Sequence, residues 1–107
     1  MDIRDERLRE SLRHIAARFV AEESNRTSLI TVTNAILSSD GKKVIILLSV
    51  LPTEKEKAVL DFLGRKRNEL RQKARAEIRG RNIPFFEFAI DGGEKNRQKI
   101  DALSRKQ

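Results

Sequence analysis

Leu8, Leu12, Ile15 and Phe19 recur at spacings of four, three and four. That spacing puts them on one side of a helix, so the pattern predicts a first helix over about 5–23. Val20 widens its apolar stripe, and the polar run Ser24-Asn25-Arg26-Thr27-Ser28 breaks it. The period then changes. Residues 28–37 (SLITVTNAIL) are dense in β-branched side chains, and simple alternation places Ile30, Val32 and Ile36 on one face of a strand. Asp40-Gly41 is a strong hairpin-turn signal. Residues 42–51 (KKVIILLSVL) form the returning strand, and their unbroken apolar run predicts the central position in a sheet.

Thr53 and Glu56 have the spacing of a capping box, in which hydroxyl and carboxylate each satisfy a free backbone N–H. A helical pattern follows to about Arg79, with Val59, Phe62, Leu63, Leu70, Ala74 and Ile78 as its apolar positions. No apolar residue lies between Leu63 and Leu70. Gly64 opens that gap, and glycine weakens a helix interior by roughly 1 kcal/mol relative to alanine. Two helices joined by a kink at Phe62-Leu63-Gly64 are therefore expected, with Gly80 as the stop. Residues 83–90 read as a third strand, with Pro84 at its start and Phe86, Phe88 and Ile90 on one face. Phe85 falls on the other face, and its role stays open. Residues 94–107 are polar and are expected to form a short terminal helix or to fray.

The predicted order is helix, strand, strand, helix, kink, helix, strand. A helical crossover between the second and third strands favours a right-handed parallel relation. The fold class is α+β: a three-stranded mixed sheet with helices packed on one face. At 107 residues the chain suits one domain, 1–107.

Composition narrows the function. The chain has no cysteine, which excludes disulfides, thiolate metal sites and cysteine nucleophiles. No run approaches the ~18 apolar residues of a membrane span. The first residues, Met1-Asp2-Ile3-Arg4, carry no apolar signal region, so a cytoplasmic location is expected. His14 is the only histidine, and it points away from the Leu8–Phe19 stripe. One histidine cannot assemble a metal site with several nitrogen or sulfur ligands, so neither metal nor cofactor is expected. No carboxylate sits in the apolar surroundings that raise its pKa for acid catalysis. Asp91-Gly92-Gly93 lacks the lysine and hydroxyl of a phosphate loop. These features predict no enzyme and no small-molecule substrate.

The net charge is +7, and it is concentrated. Up to Thr53 there are 8 basic and 7 acidic residues; after it, 15 and 9. Arg65, Lys66, Arg67, Arg71, Lys73, Arg75, Arg79 and Arg81 face only Glu69 and Glu77 in their window, and eight minus two is +6. A focused basic block is the footprint of a phosphate-rich partner. Guanidinium forks suit bidentate phosphate contacts. Arg71, Arg75 and Arg79, at i, i+4 and i+8, line one face of a helix. Lys66, Arg67 and Lys73 project near the core edge. Neutralising ~4–6 phosphates would give a log-affinity against log-salt slope of about −3 to −5. The plainer reading of such a block is a solvated helix face. A membrane-surface helix would want tryptophan or a leucine-rich face, and the chain has no tryptophan.

Three motifs carry a resemblance. The strand pair has an S-x-D-x-K turn and ends in Ser49-Val50-Leu51. Arg67-Asn68-Glu69-Leu70 forms an R-x-E-L run, and Pro84 to Phe88 forms a P-x-x-x-F strand. In this order, over about 7–103, the chain resembles the ribosome-binding factor A family, a type II KH-like fold in which an Ala-x-Gly kink replaces the G-x-x-G loop. Gly64 matches that kink, while Phe62 stands in the alanine position. The stretch 70–84 is about one helical turn longer than is usual for the family. Both ends are short, so tail-mediated contacts of the family are not expected.

The resemblance implies a non-enzymatic assembly factor, monomeric when free. Its partner would be the immature small (30S) ribosomal subunit and its 16S rRNA, and its role late maturation, rRNA end processing and growth in the cold. Arg65, Lys66, Arg67, Arg71, Lys73, Arg75, Arg79 and Arg81 are the expected RNA-binding residues. A generic single-stranded nucleic-acid binder and a protein-interaction module with an acidic partner remain as alternatives.

Overall fold

The computed structural model describes residues 3–24 and 27–92. The expected terminal helix or frayed end at about 94–107 lies outside the described residues.

The first stripe forms α1 (Ile3–Glu23), with Asp5 and Glu6 in its first turn, where carboxylates suit the positive end of the helix dipole. Leu8, Leu12, Ile15, Ala16, Phe19 and Val20 are all buried. The hairpin follows as β1 (Leu29–Leu37) and β2 (Lys43–Leu51), antiparallel. β3 (Phe85–Ile90) pairs parallel to β2, giving the order β1-β2-β3. The mixed three-stranded α+β arrangement is the expected one. β2 is central, and Val44, Ile46, Leu48 and Val50 face the helices with Phe86. Leu47, on the opposite face, is also fully buried, which accounts for the unbroken apolar run.

β1 departs from simple alternation. Its register against β2 shifts between Val32 and Asn34, a β-bulge at Thr33. An extra residue turns every later side chain to the other face. Ile30 and Val32 pack on the core, but Ala35 and Leu37 replace Ile36 there, and Ile36 faces away. Local polar groups hold the bulge. Asn34 Oδ1 accepts from the Ala35 N–H at 2.8 Å and from Arg9 Nη1 of α1 at 3.2 Å. The Thr33 hydroxyl lies 3.2 Å from the Leu47 carbonyl and 2.6 Å from Asp91 Oδ2.

The capping box does not form. A single 3-10 turn, Thr53–Lys55, leads into α2 (Glu56–Arg65), with no side-chain cap at Pro52. The Glu56 N–H bonds the Thr53 carbonyl, so the backbone satisfies a donor that a side-chain cap would otherwise take.

The interhelical break falls at Lys66, not at Phe62-Leu63-Gly64. Those three residues belong to α2, and α3 runs Arg67–Glu77. Lys66 has φ −99° and ψ 3°, and its N–H reaches the Leu63 carbonyl in a tight 2.9 Å bond. The reason is anchoring. Leu63 and Leu70 are both buried, and the polar residues between them have no core to hold them in line. Gly64 is not a steric hinge, since a Cβ there would meet nothing within 4 Å. α3 also ends sooner than expected. Ile78 turns extended (φ −110°, ψ 96°) and packs on the core, and Gly80 reverses the chain at φ +80°. Arg79 therefore stands beyond the helix.

Candidate nucleic-acid interface

Eight clustered positive charges in a sequence need not stay uncompensated in a fold. Acidic residues from other elements meet half of this set. Lys66 Nζ lies 3.7 Å from Glu23 of α1 and 3.9 Å from Glu69. Lys73 Nζ is 3.3 Å from Glu22 of α1 and sits over the Phe19 ring. Arg81 is 3.9 Å from Asp5 of α1. Arg67 Nη1 is 3.0 Å from Glu87 of β3. Within the window, Glu77 is taken by Arg18 of α1 at 2.7 Å.

The other four separate from these. Arg65, at the end of α2, and Arg75 and Arg79 are exposed and carry no ion pair among the described residues. Arg75 lies in the last turn of α3, where a cation also suits the helix dipole. Arg71 makes no ion pair there either. Its Nη2 and Nε donate to the Ile83 carbonyl at 2.9 and 3.1 Å. The expected helical row of Arg71, Arg75 and Arg79 is thus two residues long, with Arg79 carried off by the extended turn at Ile78.

Arg67 and Arg71 are one turn apart on α3 and both reach the outer edge of β3. Arg67 Nε donates to the Gly64 carbonyl at 2.9 Å, a helix-end acceptor, while Nη1 goes on to Glu87. Between this edge and the α2–α3 break runs a groove lined by Lys43, Gly64, Arg65, Arg67, Asn68 and Arg71, with Phe85 and Glu87 on the strand side. Lys43 and Phe85 are register partners across β2 and β3.

Sequence reasoning did not select Lys43 or Asn68. Lys43 lies far from the basic window in the chain, and only the parallel pairing brings it there. Asn68 was legible only as part of a motif. Phe62, given to the kink, instead half-buries its ring on the core and beneath the Lys66 ammonium, 5.7 Å from its centroid.

The arrangement suits binding to a polyanion. A row of guanidinium groups tracks phosphates without reading sequence. Among the described residues no group of three histidine, cysteine, aspartate or glutamate side chains could hold a metal ion. No described helix is long and apolar enough to cross a membrane. His14 is exposed and lies 3.3 Å from Glu10 on the same helix.

The family model for ribosome-binding factor A matches residues 4–104. The chain is 33% identical over 78 residues to ribosome-binding factor A of Thermodesulfovibrio yellowstonii, covering 73% of this chain and 66% of that protein. It is 25% identical over 91 residues to the protein of that name from Coprothermobacter proteolyticus, covering 83% of this chain and 66% of the relative. The chain thus spans just under two thirds of the length of each. In fold it resembles the crystal structure of ribosome-binding factor A from Thermus thermophilus, with a TM-score of 0.71 and 23% identity over 79% of this chain and 92% of that one.

Proposed function

The chain belongs to the ribosome-binding factor A family, and on that premise we propose that it binds the immature small (30S) ribosomal subunit through its 16S rRNA. Arg65, Arg71, Arg75 and Arg79 supply the main phosphate contacts. Lys66, Arg67, Lys73 and Arg81 support them by exchanging weak surface ion pairs for phosphates. The carrying observation is that these four arginines keep their charge without an acidic partner among the described residues, while the rest of the cluster is matched by Asp5, Glu22, Glu23 and Glu87.

The action is binding without catalysis. A ligand shifts a conformational equilibrium only through its differential affinity for the two states. Bound to one arrangement of the rRNA, the protein favours it and promotes late maturation and end processing. RNA structures grow more persistent as temperature falls, which fits a role in growth in the cold. The compartment is the cytoplasm, where subunits mature, and the free protein is a monomer.

The test is sedimentation with purified small subunits across a salt series. Four phosphate contacts give a log-affinity against log-salt slope of about −3. Changing Arg71, Arg75 and Arg79 together to glutamine is expected to weaken binding sharply and to flatten that slope, with the fold intact by circular dichroism and a modest fall in thermal midpoint from the lost Arg71 bonds to the Ile83 carbonyl. Undiminished binding by this variant would remove the arginine face from the proposal. Wild-type protein that stays at the top of the gradient at every salt concentration would remove the subunit as partner.

A further inference from the structure

Of the five phenylalanines, four are packed wholly or partly into the core, and Phe85 alone is 56% exposed. The chain holds it firmly in that position. Ile83 and Pro84 before it and Phe86 after it are buried, and its own N–H donates to the Lys42 carbonyl at 2.9 Å. Arg71 lies on the ring with its guanidinium carbon 4.0 Å from the centroid. That guanidinium is itself fixed by two hydrogen bonds to the Ile83 carbonyl. An exposed aromatic ring is thus held by a positioned cation at the mouth of a basic groove.

From this arrangement we infer that Phe85 is a stacking platform for one unpaired nucleobase of single-stranded RNA. The inference rests on the RNA-binding reading above and adds a base contact to its phosphate contacts. Every base has a π-face, so a ring of this kind takes any base, while the adjacent cations hold the backbone. The guanidinium behind the ring adds a cation–π contact that is already in place. Lys43, Arg65 and Arg67 are spaced around the groove to meet the flanking phosphates. Asn68 and the Glu87 carboxylate lie at its sides, where a base edge would find polar partners. Glu87 does not repel the backbone outright, because Arg67 matches it at 3.0 Å. The charge of the groove favours RNA over an apolar protein segment as the occupant of this ring.

The test uses the full chain and a single-stranded RNA of about ten nucleotides containing 2-aminopurine, within the usual site size for single-strand binders. The chain has no tryptophan or tyrosine, so probe emission is read against a dark protein. A second RNA of equal length carries abasic positions, keeping the phosphates and removing the rings. Wild type is expected to quench the probe. Phe85→Leu, which keeps an apolar side chain but no ring, should lose the quench and bind the base-containing RNA roughly tenfold more weakly. Phe85→Tyr should retain both. The abasic RNA should bind wild type and Phe85→Leu equally.

Absence of quenching by wild type would overturn the platform. So would a Phe85→Leu variant that matches wild type, or one that loses both RNAs equally. A variant that keeps RNA binding but loses the subunit would place the ring against a ribosomal protein instead. Subunit sedimentation of the wild type, run in parallel, separates this from the parent reading. Wild type on subunits with Phe85→Leu unaltered on RNA overturns stacking alone.

Discussion

Asp40 Oδ1 takes a hydrogen bond from the Ser38 hydroxyl at 2.7 Å and another from the Lys42 N–H at 3.0 Å. Ser38 is buried and closes the turn from its other side, accepting from the Lys43 N–H at 3.0 Å. The Ser38 hydrogen bond, then that from Lys42, hold the Asp40 carboxyl below its ordinary range. A folded-state pKa lowered below the unfolded value means the charged form favours the fold. Its contribution is complete above the unfolded value and is lost as pH falls through the folded one. The hairpin turn should therefore loosen only in acid below the usual aspartate range. Titrating the Asp40 side chain by NMR is expected to give a midpoint under the ordinary value of about 3.9. A midpoint at or above that value would contradict the turn geometry. Asp40→Asn should remove this part of the acid sensitivity. Beside it Gly41, at φ +73°, occupies the left-handed region that side chains disfavour. Both residues were legible as a turn, because turn chemistry is local. The place of Phe85 was not, since alternation assigns a face but not what stands beside it.

At the scale of elements the bulge in β1 is the informative case. Alternation assigns Ile36 to the core with Ile30 and Val32, yet one unpaired residue at Thr33 hands that role to Ala35 and Leu37. Leu37→Ala is expected to cost about 2–5 kcal/mol, the usual range for a buried leucine. Ile36→Ala, on the other face and half-buried, should cost clearly less. Urea unfolding of the two variants decides it, and equal losses would argue against the shifted register. The α2–α3 break is a similar case. The polar gap between Leu63 and Leu70 showed that a break exists. Its place at Lys66 depended on where the flanking leucines are held, which is a property of the core.

Across the whole molecule, charge is redistributed by contact. Glu22 and Glu23 of α1 sit against Lys73 and Lys66 of the basic window. If those lysines contribute to RNA binding once released, removing the two carboxylates should tighten it. Glu22→Gln with Glu23→Gln is expected to strengthen binding to small subunits severalfold, because Lys66 and Lys73 no longer give up these surface ion pairs to reach phosphate. Unchanged affinity, measured by sedimentation at fixed salt, would place Lys66 and Lys73 outside the contact surface. The same ion pairs sharpen the candidate site, since within the basic window they leave Arg65, Arg71, Arg75 and Arg79 without an acidic partner among the described residues.

Element order, the central position of β2, the parallel return of β3, the Asp40-Gly41 turn and the presence of a concentrated basic block were all legible in the sequence. Each of these depends on periodicity, local turn chemistry or composition, which are written in consecutive residues. The faces of Ile36 and Leu37, the point where the second and third helices part, the arginines left without an acidic partner among the described residues and the surroundings of Phe85 emerge only in the folded chain. Those depend on residues distant in the chain: Leu47 opposite the bulge, Glu22 and Glu23 beneath the lysines, Arg71 over the ring. Short-range pattern does not encode such pairings, because packing and electrostatics act through space.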